Sequence, residues 1–140
     1  MNEMKKTNEQ VADLLKLHDI MPTQQRLKIA NILCAEPCHM SADQVLTSVN
    51  AESNKKVCKA TVYNTLGLFA RKGLVREVIV DPSKVFYDSN TSTHHHFYNV
   101  DTGQLQDIES RELGLQGLPT LPEGVELDGI DIIVRVRTTE

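Results

Sequence analysis

Between residues 59 and 88 the chain passes once from helical to strand-like spacing, and that passage restricts the folds open to it. Val62, Leu66 and Phe69 stand at i, i+4 and i+7, which predicts a helix over residues 59–72 with one apolar stripe. Gly73 ends it in the manner of a left-handed cap. Residues 74–80 and 84–88 then read as two strands around Asp81-Pro82-Ser83, a hairpin turn.

Three helices are expected before this segment. Val11, Leu14, Leu15 and Leu17 fall near helical spacing in residues 8–18. Met21-Pro22-Thr23 is a break, with Thr23 as the N-cap of a helix over 24–34 carried by Leu27, Ile29, Ala30, Ile32 and Leu33. Ser41 opens a third, with Ala42, Val45, Leu46 and Val49 inward, and residues 50–56 read as a polar loop. Helices, a further recognition-type helix and a hairpin make a winged helix-turn-helix in outline.

The back of the chain reads differently. Residues 97–100 and 104–108 predict a second hairpin around Asp101-Thr102-Gly103, and residues 109–117 a short helix. Residues 118–124 read as a stiff connector, and 130–136 alternate weakly into a strand rich in β-branched residues. A sheet of about three strands with unpaired edges and little core is most simply completed by a second copy. The expected architecture is therefore α+β: an N-terminal winged helix-turn-helix followed by a small α/β dimerisation domain. Residues 1–83 would form the DNA-binding domain, 84–92 the hinge and wing strand, and 93–140 the dimerisation and metal-sensing domain.

Charge supports two functional units. Residues 1–80 carry eleven Lys and Arg against eight Asp and Glu, and residues 81–140 four against eleven. The mildly basic front suits an anionic partner; the acidic back suits cations. No apolar run approaches the roughly 20 residues of a membrane span. No apolar stretch of a signal peptide follows the first residues, so a cytoplasmic protein without a membrane partner is expected. Cys34, Cys38 and Cys58 form no CxxC pair, and Pro37 argues against one helix running through both Cys34 and Cys38. Free reduced thiols are expected, and no structural zinc site built from four cysteines.

The strongest chemical signal is the run His94-His95-His96, with Asp88 six residues before it and Asp107 eleven residues after it. Imidazole and carboxylate are the ligand set of zinc, iron(II) and manganese(II). Side chains alternate across a strand, so His94 and His96 would point one way and His95 the other. The bland alternative is a polar, histidine-rich loop. In the front half, Thr61, Tyr63, Asn64 and Gly67 lie off the apolar stripe of the fourth helix. Tyr63 could set its ring against a thymine methyl and its hydroxyl on a phosphate, while Lys55, Lys56, Lys59 and Arg26 hold the backbone of double-stranded DNA. A net +3 over the first 80 residues is a weak electrostatic footprint, and solvated lysines on an ordinary helical domain are the competing reading. The order of elements tips the balance towards DNA.

Several segments together resemble the ferric uptake regulator superfamily. They are Lys59-Ala60-Thr61-Val62-Tyr63-Asn64-Thr65-Leu66, Phe69, Gly73-Leu74-Val75, Thr23-Gln24-Gln25-Arg26 and the histidine cluster. Others resemble its iron response regulator branch: Val80-Asp81-Pro82-Ser83-Lys84, Gly117-Leu118-Pro119, Pro122-Glu123-Gly124, and Ile130-Asp131-Ile132-Ile133-Val134-Arg135-Val136-Arg137. So does Asp88-Ser89-Asn90-Thr91-Ser92-Thr93-His94-His95-His96-Phe97. The resemblance covers residues 20 to 137. It implies a homodimeric, metal-responsive transcription regulator of iron or haem homeostasis that binds an inverted-repeat operator. It also implies that the regulatory metal lies between the DNA-binding and dimerisation domains. Carried over position by position, its ligands fall on His39, Asp88, His94, His96 and Asp107. Iron(II) and manganese(II) are the metals expected, with zinc(II) as a further candidate.

Departures from the family pattern bear on this. The first CxxC pair of many members reads Asn99 and Thr102 here, and a second pair is absent. The family's additional metal site retains His95. Pro37-Cys38 reverses the Cys-Pro order of the haem motif, which leaves His94 to His96 as the haem candidates. Two functions of other classes compete. A metal-dependent hydrolase needs an open coordination position and a general base, and five candidate ligands leave little room for either. A metal or haem carrier would have no reason to recognise a duplex. A peroxide sensor is a variant of the regulator, since Asp rather than Glu at 107 resembles the peroxide-responsive branch.

Overall fold

The structure is a computed structural model that describes residues 5–51 and 55–140. The chain divides into two units, one ending at Thr91 and one running from Ser92 to Glu140.

The first unit holds α1 (Asn8–Leu17), α2 (Gln24–Cys34), β1 (His39–Ser41), α3 (Ala42–Ala51), α4 (Lys59–Arg71), β2 (Arg76–Asp81) and β3 (Lys84–Asp88). Local chemistry sets the helix starts. Thr7 and Gln10 form a reciprocal capping box at α1, and Thr23 accepts the Arg26 amide at 3.3 Å to start α2. Ser41 and Gln44 exchange the same pair of bonds at α3, 3.2 and 2.9 Å. α4 stops where expected: Gly73 adopts φ 77°, a left-handed conformation that costs a glycine little. Helix α2 ends at Cys34, ahead of Pro37, and the three cysteines are free thiols. Residues 52–54 of the expected polar loop lie outside the described residues, and Asn50 and Ala51 belong to α3. Across that loop the Asn50 side chain accepts the Val57 amide at 2.7 Å and donates to the Val57 carbonyl at 2.9 Å.

The core of this unit is one apolar cluster. Phe69 is its largest fully buried side chain, with Leu15, Ile29, Leu33, Val45, Val62 and Leu66 around it. The helical stripes therefore predicted the inward faces, except that Leu17, the last residue of α1, is 79% exposed. The antiparallel sheet has the order β1-β3-β2. The β2–β3 hairpin closes at Asp81, whose carboxylate accepts both the amide and the hydroxyl of Ser83 at 2.8 Å. Strand β1 was not foreseen. Three residues directly before a helix carry no periodic signal of their own.

The second unit holds β4 (His95–Asn99), β5 (Leu105–Ile108), one turn of 3-10 helix at Ser110–Glu112, and β6 (Ile133–Val136). Its sheet runs β5-β4-β6, with β4 antiparallel to β5 and parallel to β6. The three-strand expectation is met. The helix expected over residues 109–117 is not formed beyond that single turn. Gly114 and Gly117 weaken it, Gly117 sits at φ 71°, outside the right-handed helical region, and the segment has no apolar stripe to offset the glycines. Buried apolar residues of this unit are few: Tyr98, Leu105 and Ile108, beside the three histidines. Leu115, Leu118, Leu121, Val125 and Leu127 are exposed. No helix among the described residues is long and apolar enough to cross a membrane.

Candidate metal centre and nucleic-acid face

The start of β4 delivers the histidines. His96 pairs with Asp107 across the β4–β5 ladder, and the two rings of His94 and His96 lie with centroids 4.6 Å apart. Both present Nε2 to one carboxylate oxygen: Asp107 Oδ1 is 3.6 Å from His94 and 3.3 Å from His96. A metal bound at about 2.1 Å to each ligand needs tetrahedral ligand edges of about 3.4 Å. The spacing therefore fits a metal without large rearrangement. The imidazoles are buried, 7% and 1% exposed, while Asp107 is half exposed.

The tautomer of His94 follows from its partner. Nδ1 lies 2.7 Å from the Ser92 carbonyl, which can only accept, so Nδ1 carries the proton and donates. In the neutral ring Nε2 then carries the lone pair, on the side that faces Asp107. Such a bond, made by the ring nitrogen that faces away from the metal, orients a ligating histidine and raises its basicity. His95 is turned elsewhere, as strand alternation predicts. Its Nδ1 accepts the Ile132 amide at 3.2 Å, so in the neutral ring the proton sits on Nε2. For His95 to hold haem or a second metal, it would have to surrender that bond or ionise fully.

In the first unit, β1 places His39 opposite Asp88 of β3. Directly opposed residues share a face of the sheet. Asp88 is buried, 2% exposed, with Oδ1 accepting the Asn90 amide at 2.9 Å. The half-buried His39 ring packs edge-on against Phe86, centroids 6.4 Å apart. Two predicted ligands thus stand opposite each other in the sheet of the first unit, and the other three come together in the second. The Ser92 carbonyl was not legible in the sequence, because a backbone acceptor has no residue signature.

The α4 face carries the other predicted group. Lys59, Tyr63 and Asn64 are exposed, and the half-buried Thr61 has its hydroxyl 3.2 Å from the Cys58 sulfur. Tyr63 departs from expectation: its hydroxyl donates to Asp43 Oδ1 at 3.0 Å. A phenol has one proton, so while that bond stands it cannot also donate to a phosphate. Arg26 is tied by Nη1 to the Met21 carbonyl at 3.0 Å, and Lys56 Nζ donates to the Asn50 carbonyl at 2.6 Å. Arg26, Lys28, Lys55 and Lys56 line one cleft of about 600 Å³ with no carboxylate among the described residues of its wall. Such a basic cleft at the N-terminus of α2 suits a phosphate. Lys28 and Asp43 were both missed, since nothing in their spacing sets them apart from surface charge.

Comparison with known proteins agrees with this layout. Residues 18–134 match the Ferric uptake regulator family. The peroxide-responsive repressor PerR of Staphylococcus aureus strain Mu50 is 29% identical over 99 residues, 71% of this chain and 66% of that protein. The chain thus spans just under two thirds of the length of that relative. The ferric uptake regulator of Pseudomonas aeruginosa, solved with manganese, is 27% identical with a TM-score of 0.64, covering 91% of this chain and 97% of that one. That of Vibrio cholerae shares the fold at TM-score 0.68 and 20% identity, covering 91% and 98%. On the extent of the family match, backed by that shared fold, this chain belongs to the ferric uptake regulator family.

Proposed function

We propose that this chain is a metal-responsive transcription regulator, not an enzyme, that binds an inverted-repeat operator as a homodimer in the cytoplasm and serves iron homeostasis. The observation that carries the metal part is the Nε2–Oδ1–Nε2 arrangement of His94, Asp107 and His96, with His94 held in the ligating tautomer by Ser92. Imidazole and carboxylate without thiolate suit iron(II) and manganese(II). The resemblance of residues 80–97 and 117–137 to iron response regulators directs the reading to iron, and keeps haem among the effectors to be tried. The exposed leucines of the second unit supply an apolar surface for a partner copy.

In this reading one ion takes His39 and Asp88 from the first unit and His94, His96 and Asp107 from the second. The short chain distance from Asp88 to His94 supports it. Ligands from both units would let the ion favour one angle between them, through its higher affinity for that arrangement. In a dimer the angle sets the separation of two α4 helices, which must match major grooves about 34 Å apart. Metal occupancy then becomes operator affinity. Retention of an inverted-repeat duplex, measured with manganese(II), iron(II), haem or chelator, tests the reading. Binding that needs metal is expected. Equal retention with metal and chelator would overturn the metal part.

Peroxide sensing is a second reading, favoured by Asp at position 107 and by the similarity to a peroxide-responsive repressor. Hydrogen peroxide would transfer one oxygen atom to a ligating imidazole and leave as water. A mass spectrum of the peroxide-treated iron form should then show one added oxygen on His39 or His94. An unchanged mass would remove this reading and leave the first intact.

A further inference from the structure

Asp43 is the one carboxylate on α2, α3 and α4, and it bonds to α4, the helix that bears Lys59, Thr61, Tyr63 and Asn64. A carboxylate there repels phosphate. Its position in the first turn of α3 gives it one stabilising role, through the partial positive charge of the helix end. Its contact with Tyr63 spans twenty residues and needs another explanation.

Tyr63 is held from two sides. Its hydroxyl donates to Asp43 Oδ1 at 3.0 Å, and Lys59, one turn earlier on α4, places Nζ 5.5 Å from the ring centroid. The ring remains 41% exposed, so it is fixed in place and still presented to a partner. With its only proton committed, the phenol oxygen keeps lone pairs alone. It can accept a hydrogen bond from the exocyclic amine of adenine or cytosine. It cannot donate to a phosphate oxygen. The hydrogen bond to the carboxylate also raises the phenol pKa, so the phenol stays protonated at physiological pH, as an ordinary tyrosine does.

We infer that Asp43 is a positioning residue for sequence readout: it holds Tyr63 so that the ring face and an acceptor oxygen meet base edges, and removes the hydroxyl from phosphate contact. Phosphate contacts set the salt dependence of binding, and base contacts set discrimination between sequences. This inference rests on the reading of α4 as the helix that enters DNA.

The test uses the full chain loaded with manganese(II) and two duplexes: one enriched from a randomised pool on the wild-type protein, and its scrambled counterpart. Tyr63→Phe and Asp43→Ala should each lower the preference for the enriched duplex over its scrambled counterpart about 10-fold. Together they should lose no more than either alone, because both break the same bond. Asp43→Asn keeps an acceptor for the phenol, so the preference should survive while both duplexes bind more tightly. Thermal melts of the four variants check that each is folded. An equal loss of affinity for both duplexes in Tyr63→Phe, with the preference intact, would put the hydroxyl on a phosphate and overturn the inference. Losses that simply add in the double variant would overturn it too. A wild-type chain that enriches no sequence from the pool would instead bring down the reading of α4 itself, and this is seen before any variant is made.

Discussion

His39 stands directly opposite Asp88 across the β1–β3 ladder, 49 residues away in sequence. The pairing depends on a three-residue strand, and it sets a half-buried histidine on the same face of the sheet as a buried carboxylate. The second unit makes its own group of three from His94, His96 and Asp107, with every ligand atom within 4.8 Å of the others.

His94 and His96 should behave alike, and His95 should not. Alanine at either of the first two should weaken manganese(II) binding on the order of 100-fold, about 2.7 kcal/mol, in competition with a fluorescent chelator. His95→Ala should stay within about threefold, because its Nδ1 is engaged by the Ile132 amide rather than by the metal group. Equal losses at all three positions would contradict the alternation on which the centre depends.

Stability should fall at alkaline pH through Cys34. Burial, reinforced by the nearby Cys38, pushes its thiol from 9.0 up to about 11. Below pH 9 both folded and unfolded chains keep the proton and the contribution is fully present. Between pH 9 and 11 only the unfolded chain releases it, which draws the equilibrium towards unfolding by about 2 to 3 kcal/mol. Urea midpoints followed from about pH 8 to 11 should show the decline, and Cys34→Ala should flatten it. A parallel decline in the variant would assign the effect to other groups.

Asn99 ties the β4–β5 turn by hydrogen bonds. Its Oδ1 accepts the amides of Asp101 and Thr102 at 2.9 and 3.1 Å, and its Nδ2 donates to Thr138 at 3.1 Å. Asn99→Ala should cost about 1 kcal/mol locally, read as faster amide exchange at residues 101 and 102. Asn99→Asp, which keeps the acceptor, should protect those two amides.

The exposed leucines of the second unit should report self-association. Leu118 and Leu127 are 60% and 51% exposed in the single chain. Replacing both by Asp should shift sedimentation from dimer towards monomer and lower the melting temperature, since burial of such a patch stabilises the pair. A variant that sediments like the wild-type chain would place the dimer surface elsewhere.

Where neighbours in the chain suffice, the sequence was readable. Thr23 and Ser41 bond to backbone three residues away, Gly73 takes the left-handed turn by itself, and the His94–His96 alternation follows from extended backbone. These are short-range effects, decided by sterics and local hydrogen bonds. The tertiary structure decided what depends on bringing distant segments together. It paired β1 with β3, laid β6 parallel to β4, and committed the Tyr63 hydroxyl to Asp43. It also withheld a helix from most of residues 109–117, a segment without a buried face to hold one. Such pairings arise when burial and ladder hydrogen bonds outweigh the entropy of closing long loops, a balance that no local spacing records.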